Sequence, residues 1–362
     1  VTAMTADMGA TRRSVPAGDR SARARLVILL LLAVLAGVAI FSLGWGSSDA
    51  SAAAVVWHWI SGDGAVSARD RLIIEDIRLP RMLLGILVGA SLAVSGAVMQ
   101  GLFRNPLADP GLIGVSTGAS LGAVIVIVLG GGMIAPVLSW LGIYALPVAA
   151  FFGSLASTIV LYRVATRQGQ TSVATMLLAG IAIAALAGAF MGLLIFWADD
   201  RQLRDLTFWG LGSLAGATWT KIAATTPIIV LALAATPFLA RSLDAMALGE
   251  AAANHLGVPV QRFKNIAIVA VAAAVGSSVA VSGGIGFIGI VVPHLLRLSI
   301  GPSHRYLLPA SALLGAALLL LADAVSRTIV APAELPIGIV TAAFGAPFFL
   351  WILLRSRGVL DL

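Results

Sequence analysis

The sequence predicts an all-α, polytopic membrane protein of about ten transmembrane helices, and three observations predict it. Apolar residues make up 59% of the 362 and charged residues 11%, where a soluble globular domain carries about 25% charged residues. The apolar runs are continuous and often reach ~18 residues or more, enough for an α-helix to cross a bilayer. A transmembrane β-barrel would instead alternate in ~10-residue segments. Finally, a ten-span fit puts fifteen of the 23 Lys and Arg on the side of the two termini and eight on the other. That excess is the positive-inside pattern, so both termini are expected in the cytoplasm.

Residues 1–25 are polar, carry five arginines, and are expected to be disordered. Residues 26–362 read as one transmembrane domain. The first span is 26–43. Ala50-Ser51-Ala52 behind it could pass for a signal-peptide cleavage site, but the apolar run exceeds the usual ~7–15 residues, so a retained span is favoured. After a polar, Trp-rich stretch the second span starts from Met82 and the third near Pro110, running to about 130. The fourth is about 145–162, the fifth 173–197. Residues 205–219 are too short and glycine-rich to cross and read as a re-entrant or interfacial piece. The remaining spans fall at about 221–240, 266–282, 286–300, 306–325 and 336–354. Seven of the eight Trp lie on or near the outer ends, as an interfacial belt would. Gly85/Gly89, Gly114/Gly118/Gly122 and Gly188/Gly192 are spaced for close helix approach, and packing within one subunit is the favoured reading for each.

Between the two apolar halves, 241–265 forms a polar island in which Arg241, Asp244, Glu250 and Lys264 interleave with Leu243, Met246 and Leu256. Helix formers run from Leu243 to Asn254, and Gly257-x-Pro259 is a stop signal. A short amphipathic helix outside the bilayer is expected. It is either a connecting loop or a lever on which another protein pushes.

Chemistry of the chain's own is not expected. With no cysteine, thiolate catalysis and disulfides are excluded. The only lysines, Lys221 and Lys264, precede Ile and Asn, so there is no phosphate-binding G-x-x-x-x-G-K-[ST]. The four histidines are far apart, and no H-E-x-x-H exists. Span interiors hold almost no ionisable groups; Asp323 has Arg327 one turn on as a partner. Basic residues are scattered at span ends, which does not favour nucleic acid. The chain reads as a passage with neither fuel nor coupling ion of its own.

Residues 78–118 (RLPRMLLGILVGASLAVSGAVMQGLFRNPLADPGLIGVSTG) closely resemble the signature region of permease subunits of bacterial type II ABC importers, which take up iron chelates, haem and cobalamin. LGEAAANHLG (248–257), GGIGFIGIVVPHLLR (283–297), GPSHRY (301–306) and ELPIGIVTAAFGAP (334–347) follow in family order. The resemblance implies the ten-helix permease fold in the inner membrane and a homodimer around a central path. It also implies two cytoplasmic ATPase subunits, which bind the ATP and Mg that this chain lacks as cofactors, and a periplasmic binding protein. Residues 243–257 would be the coupling helices, with Leu248, Gly249, Glu250, Ala253, Leu256 and Gly257 meeting the ATPase. Arg78, Arg81 and Arg327 match arginines that dock the binding protein's carboxylates; membrane-interface anchoring is the rival role. Asn105, Pro106 and Leu107 match a cytoplasmic gate, and Thr171-Ser172 sits where a second gate segment would lie. Asp109 and Pro110 would cap the next helix. Haem, ferric siderophore and cobalamin remain open as cargo, with haem favoured by WGLGSLAGATW at 209–219. Arg201 or Arg204 could meet haem propionates, although pairing with Asp199, Asp200 or Asp205 is the favoured role. A secondary carrier or channel without an ATPase is the rival class.

Overall fold

The computed structural model of the chain describes residues 20–46, 50–62, 66–132, 134–167 and 170–355. Residues 1–19 of the tail expected to be disordered lie outside these. The first helix, α1 (Ser21–Gly44), starts five residues before the apolar run. Helix α2 (Ala52–Ser61) begins at Ser51, whose hydroxyl accepts from the Ala54 amide, and ends on Gly62. Helix α3 (Ala68–Arg71) continues through a π-helical stretch (Leu72–Arg78) into α4 (Leu79–Phe103). The second span is therefore helical well before Met82. Hydropathy sees only the bilayer-crossing part, while the polar turns ahead of it stay helical by their own hydrogen bonds.

A 3₁₀ turn (Pro110–Ile113) leads into α5 (Val115–Leu129), followed by α6 (Ala135–Leu141) and α7 (Ala145–Ala165). Strands β1 (Thr166–Arg167) and β2 (Gln170–Thr171) pair antiparallel, Thr166 opposite Thr171, and α8 (Val173–Trp197) follows. Then come α9 (Asp200–Gly210), α10 (Trp219–Met246), α11 (Glu250–His255), α12 (Val260–Ser282), α13 (Ile288–Ile300), α14 (His304–Ser326) and α15 (Ile337–Arg355). Among the described residues, seven helical segments are long and apolar enough to cross a membrane. The shorter apolar helices are α2, α5, α13 and α15; the ten expected span positions fall on the seven together with α5, α13 and α15, while α2 lies in the Trp-rich stretch between the first two.

The 205–219 stretch resolves into two parts. Helix α9 is amphipathic and carries a reciprocal Asp199–Gln202 capping box. The loop behind it tucks into the protein: Leu214 is 1% exposed. Its backbone is satisfied by neighbours, with Ser213 N donating to Ser282 O (2.7 Å), Ile337 N to Gly212 O (3.1 Å) and Gly338 N to Leu211 O (3.0 Å). Irregular backbone is tolerated at membrane depth only when protein supplies such partners.

Helices α4 and α12 form the centre; 83% and 78% of their most apolar windows are buried, against 11% in α1 and 17% in α8. Lipid is as apolar as leucine, so apolar burial contributes little to holding spans together and close backbone contact contributes more. Glycine provides it. A Cβ on Gly96 of α4 would sit 1.9 Å from Gly289 O of α13, and one on Gly118 of α5 would sit 2.3 Å from Gly153 O of α7. Gly89 meets α14 and Gly122 meets α7 in the same way. Gly188 and Gly192 differ: a Cβ on either has nothing within 4 Å. Packing within one subunit does not account for that pair, because α8 lies at the edge of the bundle.

Candidate functional site

Two clusters occupy opposite ends of the spans. At the first, the guanidinium of Arg81 lies in the first turn of α4. It meets both oxygens of Asp323 on α14 (Nη2 to Oδ1 2.8 Å, Nε to Oδ2 3.1 Å) and both of Glu334 (Nη1 to Oε1 2.9 Å, Nη1 to Oε2 3.0 Å). Arg81 and Asp323 are buried; Glu334 is half exposed. Arg327 contacts Asp323 at 3.5 Å and donates from Nη2 to the carbonyl and hydroxyl of Ser42, each at 2.9 Å. Arg78 donates from Nη1 to Leu43 O (2.7 Å) and Gly44 O (3.1 Å). The last carbonyls of a helix lack intrahelical partners and carry its negative pole. Two arginines thus close the end of α1, and a third locks α4 to α14.

The structure places Arg78, Arg81 and Arg327 close to one another at one end of the spans, and all three are buried, at 4–6% exposure. A guanidinium at a span end needs acceptors, and the carboxylates and helix carbonyls of this chain are the nearest. The Asp323–Arg327 pair expected from sequence exists, but Arg81 is the closer partner. Arg201 and Arg204 are exposed, and neither forms the expected salt bridge among the described residues; Asp199 caps α9 instead.

The second cluster holds the polar island. It is not one helix from Leu243. Leu243 and Met246 are fully buried at the end of α10, because apolar side chains there continue the span's inner face. The chain then breaks at 247–249, and α11 forms a separate helix. Gly249 (φ +105°) and Gly257 (φ +81°) bracket it in backbone conformations that side-chain-bearing residues avoid. Ala253 is fully buried, whereas Leu248 and Leu256 are 71% and 64% exposed. The amine of Lys264, buried in the first turns of α12, donates to Glu250 Oε1 at 2.7 Å, tying α11 to that span. Nearby, Asn265 Oδ1 accepts from Tyr162 of α7 (2.5 Å) and from Gln261 Nε2 (3.1 Å).

On the other flank, Asp244 reaches from α10 to the start of α14. Its Oδ1 accepts from the backbone N–H of His304 (2.8 Å) and lies 2.7 Å from His304 Nδ1, and Ser303 Oγ donates to its Oδ2 (3.3 Å). Movement of α11 or of the α10 end thus has direct links to α12 and α14. Sequence reading missed Lys264, Asp244 and His304 as a mechanical set. The available signal was an ionisable group beside an otherwise apolar run, which needs a partner.

The gate candidates are near this end but are not joined. Asn105 Oδ1 accepts from Leu107 N (2.9 Å), holding a tight turn in which Pro106 is exposed and Leu107 half-buried. Asp109 accepts from the Gly111 amide (2.7 Å), so it caps the 3₁₀ turn, and α5 starts five residues later than a Pro110 start. Burial raises the Asp109 carboxyl above the usual carboxylate range, partly offset by that hydrogen bond. Ser172 caps α8 by accepting from Thr175 N, and Thr171 belongs to β2. Among the described residues no hydrogen bond links Asn105–Leu107 with Thr171–Ser172.

The FecCD transport family matches residues 18–355. The "Hemin transport system permease protein HmuU" of Yersinia pestis is 45% identical over 333 residues, covering 92% of this chain and 96% of that protein. The "Vitamin B12 import system permease protein BtuC" of Salmonella paratyphi A is 45% identical over 302 residues, covering 83% and 89%. A solved structure of an inward-facing, metal-chelate type ABC transporter assignment superposes with TM-score 0.80 and 30% identity, covering 91% of this chain and 99% of that one. PsaBC from Streptococcus pneumoniae shares the fold alone, at TM-score 0.51 and 16% identity over 78% of this chain and 93% of that one.

Proposed function

Because the chain belongs to the FecCD transport family, we propose that this ABC importer permease carries haem inward across the plasma membrane, driven by a separate ATPase. Identity of 45% to a hemin permease over nearly the whole chain carries the reading. A vitamin B12 permease reaches the same identity over a shorter stretch, so cobalamin is the second reading. Exposed Arg201 and Arg204 are suited to haem propionates and favour the first.

The end carrying α11 faces the cytoplasm, as do both termini. Two ATPase subunits, which hold the ATP and Mg, dock on Leu248 and Leu256. Their closure tilts α11 about Gly249 and Gly257, and the Lys264–Glu250 bond passes the motion to α12. A second copy of this chain packs along α8, and the path runs between the copies. Asn105, Pro106, Leu107, Thr171 and Ser172 narrow its cytoplasmic mouth. At the other end a periplasmic binding protein docks through carboxylates that compete with Glu334 for Arg81, while Arg78 and Arg327 hold the frame. Glu334→Gln then tightens docking; unchanged affinity in that variant removes Arg81 from the docking role.

Reconstitution of the permease with its ATPase and binding protein in liposomes tests the whole reading. Haem is expected to accumulate with ATP, with ferric siderophore and cobalamin transported far less. Faster accumulation of cobalamin would transfer the assignment to the second reading.

A further inference from the structure

A cavity of about 950 Å³ opens at the α11 end between the starts of α1 and α14 and the ends of α4, α10 and α13. Three guanidinium groups line it, from Arg20, Arg104 and Arg297, against one carboxylate, Asp244. That carboxylate is occupied by the His304 backbone amide, the His304 ring and Ser303. Arg297 donates to Gln100 Oε1; the guanidinium groups of Arg20 and Arg104 have no partner among the described residues. On the wall, His304 is 5% exposed, and its Nε2 lies against Gly101 with no hydrogen-bond partner among the described residues.

We propose that this cavity binds the phosphate headgroup of an anionic phospholipid. The surplus of positive charge from Arg20, Arg104 and Arg297 over the single, already occupied carboxylate calls for an anion with several acceptor oxygens. Its position selects lipid over a free anion. The cavity opens beside the first turn of α1, and above it Leu26, Leu29 and Leu30 are 65%, 68% and 59% exposed. Acyl chains of a lipid seated there run along that apolar face. Basic pockets between spans at a membrane boundary hold anionic headgroups in this way. Such a lipid would brace α1 and the Asp244–His304 link beside α11.

The test uses the detergent-purified full-length protein titrated with short-chain phosphatidylglycerol, phosphatidylcholine or inorganic phosphate while its unfolding temperature is followed. Phosphatidylglycerol is expected to raise that temperature, and the other two are not. Arg20 and Arg104 are exposed, so Arg20→Gln with Arg104→Gln should leave the unliganded unfolding temperature unchanged. It should raise the half-saturating phosphatidylglycerol concentration about tenfold or more. An equal effect of phosphatidylcholine, an equal effect of inorganic phosphate, or an unshifted midpoint in the double variant would each overturn the proposal. So would loss of ATPase assembly in the double variant with lipid binding intact, because the arginines would then belong to the partner's docking face.

Discussion

Arg81 shows what a single side chain does at a span end. It satisfies Asp323 and Glu334 at once, and it bridges elements separated by 242 and 253 residues. Removing one member of a buried pair leaves the other charge desolvated, which costs about 3–5 kcal/mol. Arg81→Ala should therefore lower the unfolding temperature sharply in detergent, and a paired Arg81→Met, Asp323→Leu variant should recover much of the loss. Glu334 is half exposed, and Glu334→Gln should cost less than about 1 kcal/mol. The i,i+4 spacing made Asp323–Arg327 legible in sequence. Nothing in local spacing points from Asp323 to Arg81, because that contact depends on α14 lying along α4.

Among the elements, α4 and α11 carry opposite demands. Helix α4 must be approached closely: a Cβ at Gly96 would fall 1.9 Å from a backbone oxygen of α13, and backbone cannot move aside cheaply. Gly96→Ala should prevent stable folding, read as loss of the monodisperse peak in size-exclusion chromatography. Gly37→Ala on α1, with nothing within 4 Å, should be neutral. Helix α11 is bracketed by glycines at positive φ, which is what the proposed lever requires of its ends. Leu256→Glu alters an exposed side chain, so it should leave the unfolding temperature unchanged and weaken co-purification of the ATPase; full retention of the ATPase would detach α11 from coupling. The island's amphipathic helix was readable from Glu250 to Asn254. Its separation from 243–246 was not, since Leu243 and Met246 suit a helix end and a surface helix equally by composition.

At the scale of the molecule, the proposed homodimer needs a face that one chain leaves uncovered. Helix α8 packs on α5 and α7 along one side only, and Gly188 and Gly192 leave a flat, small-residue face with nothing of the same chain against it. Gly188→Leu with Gly192→Leu should leave the monomer folded and lower the dimer fraction in cross-linking; an unchanged fraction would move the seam elsewhere. The Asp244–His304 and Glu250–Lys264 links connect the α11 end to α14 and α12, two of the helices packed on α4. On the proposed coupling role, these links are the route by which work done on that end would reach the centre of the bundle.

The all-α membrane class, the order of the apolar helices, the polar island and the family were legible in sequence, because each is a local property of hydropathy, charge or contiguous motif. Tertiary structure alone decided that the three arginines face inward, that α8 rather than α4 or α5 presents unoccupied glycines, and that α11 is braced by Lys264. These depend on which helix lies beside which. In lipid that choice is made by backbone contact and by buried polar partners across hundreds of residues, rather than by any pattern within one helix.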